Sequence, residues 1–451
     1  MISTRSLFSR KIFPPAVQVA ALNEYLSDTE IEALCRSLGH RWRDRELGPG
    51  VTVRSMVYRG LHPDRSIRAT LLDLAAGDER LTRPPAGPSW CEARDRLPKA
   101  LWPELIDASV ARLDRLVGQQ YLFRGRPVYI ADGSTLSMPD APSLVRTFGY
   151  AGNRHGRSRF PIARITFLTR WGAETVTAYR LGRYRESEDV QFRALWDAIP
   201  GGSICLFDRH FTSFYHLAKL PQRGVDCLGP LNACRDPKRL ISQGRRLGKN
   251  EWLVPLELSP QLRKKYNDPS LPERLWVRLL RVRFRRGRKK HTLWLVTTLT
   301  EVRLYPLKLL AELYRDRWGI ETRIGSLKTT LQMNVLRSQT ATHVRSEVAA
   351  IVLGHNLVWT LLHQAARETG TPAARISFTG TVQTVLAFSG ALRYAPPAAR
   401  RVIYRRMLHA IARNVNPDRP GRIEPRLVKR DPVQYCFLMI PRDKARQKCL
   451  S

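Results

Sequence analysis

The segment RPVYIADGS, residues 126–134, decides how the rest of the chain is interpreted. Its centre is an apolar run of strand-forming residues, and it closes with Asp132 and Gly133, residue types that end strands and begin turns. Upstream of it the apolar residues recur with a helical period, whereas downstream short β-type runs begin. The segment therefore predicts the first strand of a buried sheet, with Asp132 at its end.

The segments that follow alternate between strand and helix patterns. They are the β-type runs 160–171 and 173–182, the helical segment 187–199, the buried run 202–211, the helical segment 213–224 and the β-type run 225–231. Trp171-Gly172 predicts a hairpin turn, and Ser187 predicts a helix N-cap. Three strands, helix, strand, helix, strand and a final helix is the order of the ribonuclease H-like fold, an α/β fold with a mixed sheet flanked by helices.

A β-rich stretch of about seventy residues, 231–300, precedes the final helix and predicts an inserted domain. Its runs 275–284 and 291–300 flank a strongly basic hairpin tip, a candidate contact for the DNA backbone, formed by Arg285, Arg286, Arg288, Lys289 and Lys290. The chain is thus divided into a helical N-terminal DNA-binding region (1–120), a catalytic core (121–230 and 301–370), the insertion (231–300) and a helical, basic C-terminal region (371–451).

The N-terminal region carries three amphipathic patterns, 22–39, 67–77 and 101–118. Ser89 and Glu92 have the spacing of a capping box, which predicts a helix N-terminus at Ser89. Two short helices joined near 84–88 are compatible with a helix-turn-helix and equally with a helical bundle that makes no base contacts.

The charge of the chain points to a polyanionic partner. Its 451 residues hold 76 Lys and Arg against 39 Asp and Glu, a net charge of +37. Self-repulsion of this size disfavours the compact state unless a polyanion offsets it, and nucleic acid is the commonest polyanion. No stretch predicts a membrane span or signal peptide, and seven cysteines without a CxxC pair predict neither zinc fingers nor disulfides.

The segment LYRDRWGIETRIGSLK, residues 313–328, predicts a helix with an unusual polar stripe. At about 100° per residue, one stripe beside the apolar face is formed by Tyr314, Arg317, Glu321 and Lys328. Asp316 lies on the opposite flank. A surface helix with an Arg317–Glu321 ion pair would give the same pattern, and a turn aspartate after a strand is common for local hydrogen-bonding reasons. If Asp132, Asp208 and Glu321 converge, however, they repel one another unless cations bridge them, and hard oxygen ligands suit Mg²⁺ or Mn²⁺.

Three blocks, YIADGSTLSMPD, ICLFDRHFTS and YRDRWGIETRIGSLK, resemble the catalytic blocks of DDE transposases of the insertion-sequence-4 family. The third carries that family's spacing of Tyr, two residues, Arg, three residues, Glu, six residues and Lys. The sequence departs from the family's commoner Asp-Arg-Gly pattern, because His210 follows Arg209, which puts bulk beside the expected metal site.

The resemblance implies a DNA transposase. Asp132, Asp208 and Glu321 would bind two Mg²⁺ ions, for which Mn²⁺ can substitute, and phosphates would be contacted by Tyr314, Arg317 and Lys328. Trp294 would stack on a flipped base, although a core tryptophan is the alternative, with Trp252 and Trp276 as lesser candidates. The expected partners are inverted-repeat ends and target DNA, with a homodimer in the synaptic complex, in the bacterial cytoplasm at the nucleoid.

Two other classes of protein fit much of the sequence. A catalytically silent, domesticated relative would keep the basic charge without needing the acids, and a metal-dependent nuclease of the same fold would cleave without strand transfer. Because the sequence contains no glycine-rich phosphate loop, no nucleotide cofactor is expected.

Overall fold

The computed structural model describes residues 26–43, 46–75, 84–153, 156–286, 289–317, 325–417 and 447. Within these ranges the α-helices are α1 (Asp28–Ser37), α2 (Pro49–Leu61), α3 (Ile67–Ala75), α4 (Gly87–Arg96), α5 (Leu101–Val117), α6 (Pro142–Phe148), α7 (Glu188–Arg193), α8 (Phe214–Gln222), α9 (Pro237–Ser242), α10 (Pro260–Tyr266), α11 (Leu307–Arg317), α12 (Ala341–Thr369), α13 (Phe378–Tyr394) and α14 (Pro397–Arg413). A short π-helical turn spans Ser326–Thr330.

The strands are β1 (Leu122–Phe123), β2 (Arg126–Ser137), β3 (Tyr150–Asn153), β4 (Gly156–Arg170), β5 (Val176–Arg183), β6 (Ile204–Leu206), β7 (Asp226–Pro230), β8 (Arg245–Gly248), β9 (Glu251–Glu257), β10 (Arg274–Arg286) and β11 (Lys289–Thr297). They form one mixed sheet in the order β3-β4-β2-β6-β7-β11-β10-β9-β8, with β5 also beside β4 and β1 beside β2. The strands β2, β6 and β7 are mutually parallel, and the remaining pairs are antiparallel. The chain is therefore a mixed α/β protein.

The predicted hairpin at Trp171-Gly172 is confirmed. Strands β4 and β5 pair antiparallel, and Gly172 takes a φ of +77°, which glycine adopts without the cost a side chain would add. Ser187 caps α7 as predicted, because its side chain accepts a hydrogen bond from the Val190 N–H.

The β-rich stretch 231–300 continues the main sheet. Its strand β11 pairs antiparallel with β7, with Val296 opposite Gly229, so β8 to β11 extend the sheet beyond the parallel strands. The antiparallel pairing of β10 with β11 confirms the predicted hairpin around the basic tip. The side chains of residues 285–290 lie outside the described set, and Arg288 lies outside it altogether.

The predicted helix start at Ser89 is wrong. Helix α4 begins at Gly87 after Ala86, and no side chain caps it. Pro88 explains the difference, because proline is favoured in the first helical turn, where its missing N–H would have had no partner. Ser89 therefore lies inside the first turn.

The three amphipathic patterns of the N-terminal region correspond to α1, α3 and α5, whereas α2 was not predicted. Twelve of the thirteen residues of α2 are buried, including the polar Thr52, Arg54 and Ser55, so hydrophobicity does not mark which of its residues face the core. It packs with α5 against α12, and one hydrophobic cluster joins residues of α1, α2 and α5 to α12, β4 and β5. The N-terminal helices thus share their core with the C-terminal half of the chain.

Of the described helices, α12 alone is long and apolar enough to cross a membrane. In the folded chain, 94% of its most apolar window is buried. Its polar residues are bonded internally, since the Asn356 side chain binds the backbone of Val176 on β5 and the Ser109 hydroxyl on α5. The helix is therefore the central element of a protein core.

Candidate active site

Asp132 and Asp208 are brought together by the register of two parallel strands. Ile130 on β2 lies opposite Leu206 on β6, and each aspartate comes two residues later. Both aspartates thus lie just beyond the end of the β2–β6 pairing, and the Asp208 charge is close enough to raise the pKa of Asp132. The structure therefore brings together the two aspartates that the sequence singled out.

Asp132 does not end its strand, contrary to the sequence prediction. Strand β2 continues to Ser137, because its other edge stays paired with β4 as far as Ile162. Only the pairing with β6 stops at Ile130, since the chain turns away after β6. Asp132 is therefore held rigidly on one side and faces an open strand edge on the other.

The environment of Asp132 opposes its negative charge. Burial raises the pKa of this carboxyl group to about 6, the Gly133 N–H lowers it through a 2.8 Å hydrogen bond, and the Asp208 charge raises it. The positive charge of Arg317 lowers the pKa of Asp132, opposite to the effect of Asp208. A cation beside the two aspartates would relieve both burial and repulsion, which is what a divalent metal site requires.

The carboxylate of Asp208 is oriented by the turn that follows it in the chain. Its Oδ1 accepts hydrogen bonds from the backbone N–H groups of His210, at 2.8 Å, and Phe211, at 3.1 Å, and the Thr212 hydroxyl donates to its carbonyl oxygen at 2.8 Å. Both of these bonds to the carboxylate use Oδ1. The His210 side chain is exposed, and the contribution of this residue to the turn is its backbone N–H.

A buried histidine supports this turn from below. His216 Nδ1 lies 2.6 Å from the carbonyl oxygen of Phe211, so Nδ1 carries a proton, and Nε2 lies 3.1 Å from Asp189 Oδ1 on α7. The imidazole is fully buried among aromatic rings, with Phe192 and Trp196 edge-on to it. The contacts that run from Asp189 through the His216 ring to the Phe211 carbonyl group fix the loop that holds Asp208.

Helix α11 places Tyr314 and Arg317 against the two aspartates. The Arg317 guanidinium lies 5.5 Å from the centre of the Tyr314 ring. Burial raises the pKa of Tyr314, Arg317 lowers it and the Asp208 charge raises it, so all these groups share one electrostatic environment. Both side chains are buried, with 4% and 7% exposure, rather than bordering the buried face as the helical projection indicated. Asp316 is exposed on the other side of the helix.

The third predicted acid, Glu321, lies outside the described residues, which stop at Arg317 and resume at 325. Lys328 is half-buried in the π-helical turn, where the Leu331 N–H donates to the Ser326 carbonyl oxygen at 3.0 Å. This wider winding corrects the α-helical projection, because a step of 100° per residue no longer gives the direction of Lys328. Such π-helical turns occur often at functional sites.

Glu188 is a further carboxylate near Asp132, and the sequence did not single it out. It is the first residue of α7, it forms an ion pair with Arg164 on β4, and its charge raises the pKa of Asp132. It also packs over Gly133, where a side chain would meet the Glu188 carboxylate at 3.0 Å or less. The signal available in the sequence was an acid directly after the N-cap Ser187, a pattern with an ordinary helix-capping explanation.

In the described part of the chain, no three His, Cys, Asp or Glu side chains are grouped to hold a metal ion. The oxygen donors present are the carboxylates of Asp132 and Asp208, and they are the hard ligands that Mg²⁺ and Mn²⁺ prefer. The residues present therefore fit a divalent ion as a partial ligand set.

Trp294 lies on β11 and is partly buried. Its ring centre is 5.8 Å from that of Trp252, and the Arg281 guanidinium lies over both rings, at 5.9 Å and 5.5 Å. Trp276 on β10 is exposed, at 47%. The structure thus gives Trp294 aromatic and cationic neighbours within the sheet, and its expected stacking on a base stays a prediction.

Two neighbouring aspartates beyond the end of the β2–β6 pairing, with Arg317 beside them, are groups that suit a metal-dependent enzyme acting on phosphodiesters. A family model of the transposase DDE domain matches residues 123–357, more than half of the chain. The chain therefore belongs to the DDE transposases.

Among curated proteins, the chain is similar to the transposase InsG for insertion sequence element IS4 of Escherichia coli K12. The two are 27% identical over 317 residues, which is 69% of each chain. A putative transposase of the same organism, InsZ, is 30% identical over 105 residues, 23% of this chain and 35% of that protein. These findings place the chain in the insertion-sequence-4 family, and it is a DNA transposase.

Among solved structures, the chain is similar to a piggyBac transposase synaptic complex with hairpin DNA. The match covers 92% of this chain and 88% of that one, with 10% identity and a TM-score of 0.43. A likeness this distant carries no argument about the function of this chain.

Proposed function

We propose that the chain excises and inserts its insertion sequence by metal-dependent cleavage and strand transfer, following the cut-and-paste route in which both strands are cut at each end. The observation that carries this proposal is the pair Asp132 and Asp208 at the end of the β2–β6 pairing. In this proposal β2, β4, β5, β6 and β7 form the sheet of a ribonuclease H-like core, assembled from 121–230 and 301–370, with the insertion 231–300 extending it.

Asp132, Asp208 and Glu321 would hold two Mg²⁺ ions, or Mn²⁺ in their place. Bound there, the ions would lower the pKa of an attacking water or 3′-hydroxyl and stabilise the leaving oxygen. The contribution of the protein is positional, because the strand fixes Asp132 and the turn of Asp208 fixes its carboxylate before any ligand arrives. Cations near Asp132 favour the ionised form of its carboxyl group, which is the form that binds a metal ion.

Tyr314, Arg317 and Lys328 would contact phosphates of the transposon end. Arg317 supports this role, because its guanidinium is buried beside the aspartates and its Nε has no hydrogen-bond partner among the described residues. An Arg in that position can bridge two phosphate oxygens.

The reaction balances without an external energy source. In the first step, water attacks a phosphorus atom and the 3′ oxygen leaves as a hydroxyl group. In the second step, that 3′-hydroxyl attacks a target phosphorus and one phosphodiester is exchanged for another. No nucleotide cofactor is therefore needed.

The proposed partners are the inverted-repeat ends, bound with the helical region 1–120 and the basic C-terminal region 371–451, and target DNA. Two ends would be paired by a homodimer in the synaptic complex, in the cytoplasm at the nucleoid. Trp294 and the basic hairpin tip are proposed as further DNA contacts. The net charge of +37 supports each of these contacts with a polyanion.

The test uses purified protein, Mg²⁺ and a supercoiled plasmid that carries the element's own ends. Wild type is expected to release the element, and Glu321→Gln is expected to bind the ends without cutting them. The matched control is Asp316→Asn, which removes an exposed acid from the same segment and should keep cleavage. Binding without cleavage by every protein would indicate a silent DNA-binding relative, and cleavage without joining to a target would indicate a nuclease.

A further inference from the structure

A cavity of about 130 Å³ lies away from the aspartate pair, between α2, α4, α12 and the loop that follows the π-helical turn. Its charged lining residues are Arg59, Arg94, Arg337 and Glu347. Three guanidinium groups against one carboxylate leave the cavity with a formal charge of +2. We call it the arginine cavity.

Two of the three guanidinium groups of the arginine cavity have a buried nitrogen without a hydrogen-bond partner among the described residues. Arg94 is 6% exposed, and the Nε atoms of Arg94 and Arg59 are buried without a hydrogen-bond partner in the described part of the chain. Burial first, and the charge of Arg337 next, lower the pKa of Arg59 to about 10. A buried donor without an acceptor costs free energy, so the cavity is complete only when an acceptor enters it.

Glu347 is not that acceptor. Its carboxylate is buried and accepts hydrogen bonds from the backbone N–H groups of Arg337, at 3.1 Å, and Ser338, at 2.9 Å. The carboxylate thus fixes the loop, while the Nη1 of Arg337 donates to the carbonyl oxygens of Pro63 and Arg65 at 2.7 Å and 2.8 Å. An oxyanion would meet a preformed set of guanidinium donors.

We propose that the arginine cavity binds a phosphate group. Guanidinium groups match tetrahedral oxyanions, since each presents several N–H donors in a fixed plane. The loop that carries Arg337 is also joined to the end of β2, because the Ser137 N–H donates to the Asn334 carbonyl oxygen at 2.9 Å and the Leu336 N–H donates to that of Ser137 at 2.8 Å. The cavity is thereby linked to the strand that carries Asp132.

The phosphate is a backbone phosphate of bound DNA. This source rests on the transposase function, and the link to β2 supports it, because Ser137 lies roughly 17 Å along the strand from Asp132 at about 3.3 Å per residue. A bound duplex is long enough to reach both places. Free inorganic phosphate shares the same chemistry, so the experiment has an arm for each source.

The first arm measures thermal stability in chloride and in inorganic phosphate at equal ionic strength. The Tm of the wild type is expected to rise in phosphate, and Arg94→Gln is expected to lose that increment. The control Arg96→Gln removes an exposed arginine from the same helix and should keep it. Because the readout is the increment, a lower starting Tm from lost packing does not affect it. If Arg94→Gln fails to fold, Arg59→Gln, at a half-buried position, takes its place.

The second arm measures the salt dependence of binding to a random-sequence duplex. Losing one phosphate contact reduces the slope of log K against log salt by about 0.9. Arg94→Gln should show this reduction beyond any seen with Arg96→Gln, since both variants lose one charge. If Arg94→Gln loses the Tm increment in phosphate but its slope equals that of Arg96→Gln, the cavity is an anion site, and DNA is overturned as the source of the phosphate. No increment in the wild type, with equal slopes, would overturn the proposal whether or not the protein is an active transposase.

Discussion

The carboxyl group of Asp132 is expected to destabilise the metal-free protein at neutral pH, and replacing it with an amide should remove that effect. Its pKa rises from 3.8 to about 6, through burial first and the Asp208 charge next. At about 1.36 kcal/mol per pKa unit, this difference corresponds to roughly 3 kcal/mol. Asp132→Asn should therefore be more stable than the wild type at pH 7.5 by up to that amount.

The sign of the effect follows from proton binding. Between pH 4 and pH 6 the folded protein holds the Asp132 proton more tightly than the unfolded chain, so the stability of the wild type falls as the pH rises through this range. Above pH 6 the destabilisation caused by Asp132 is constant, and near pH 4 this destabilisation is absent. The advantage of Asp132→Asn should therefore be close to zero at pH 4 and largest above pH 6.

The assay is denaturant unfolding in EDTA at both pH values, with Asp64→Asn as an exposed control. Asp208→Asn should reduce the advantage of Asp132→Asn, because it removes one cause of the raised pKa. Adding Mg²⁺ should also reduce it, since an ion that binds only the folded wild type stabilises that protein. An Asp132→Asn variant less stable than the wild type at pH 7.5, or equally favoured at both pH values, would refute the reasoning.

Three further predictions concern groups around the site. Arg278→Met, at a fully buried position on β10, should destabilise the protein by up to about 3–5 kcal/mol in denaturant unfolding, because it leaves the partly buried Glu251 without its ion-pair partner; an unchanged midpoint would contradict this. His216→Gln should lower the cleavage rate about 10–100-fold with unchanged DNA affinity, since the loop that orients Asp208 loses its support; equal loss of both would indicate misfolding instead. Arg317→Gln should shift the pH midpoint of cleavage upward in a pH–rate profile, because its guanidinium lowers the pKa of the aspartate on β2; an unchanged midpoint would exclude that coupling.

The nearness of Asp132 and Asp208 could be predicted from the sequence because it depends on strand order, whereas their role in catalysis stays a prediction. Asp132 and Asp208 each follow an apolar run, and parallel neighbours bring such positions together. Their proximity could be predicted from the order of the strands alone, without knowledge of any distance between the two segments. The continuation of β2 beyond Asp132 could not, because it depends on β4 staying paired after β6 has turned away.

Other features could not be predicted because tertiary contacts decide them. Helix α2 buries polar as well as apolar residues, and the π-helical turn around Lys328 changes the winding that a helical projection assumes. Glu188 lies beside Asp132 only because α7 packs over Gly133. The arginine cavity is equally invisible in sequence, since Arg94 and Arg337 come from distant segments.

The extension of the sheet by β8 to β11 has the same kind of cause. The β-rich composition of 231–300 predicted strands and a hairpin, and both are present. The edge on which these strands pair was not encoded locally, because β11 binds β7 through backbone groups that any sequence provides.

The most direct test of the account is to locate the metal on the polypeptide itself. With hydrogen peroxide and ascorbate added, Fe²⁺ bound in place of Mg²⁺ reduces the peroxide to hydroxyl radicals that cut the backbone near the metal ligands, and mass spectrometry locates the cuts. Cuts close to Asp132 and Asp208, suppressed by excess Mg²⁺ and absent in Asp208→Asn, are the predicted result. Cuts elsewhere, or cuts that persist in Asp208→Asn, would contradict the claim that these two carboxylates share a divalent ion.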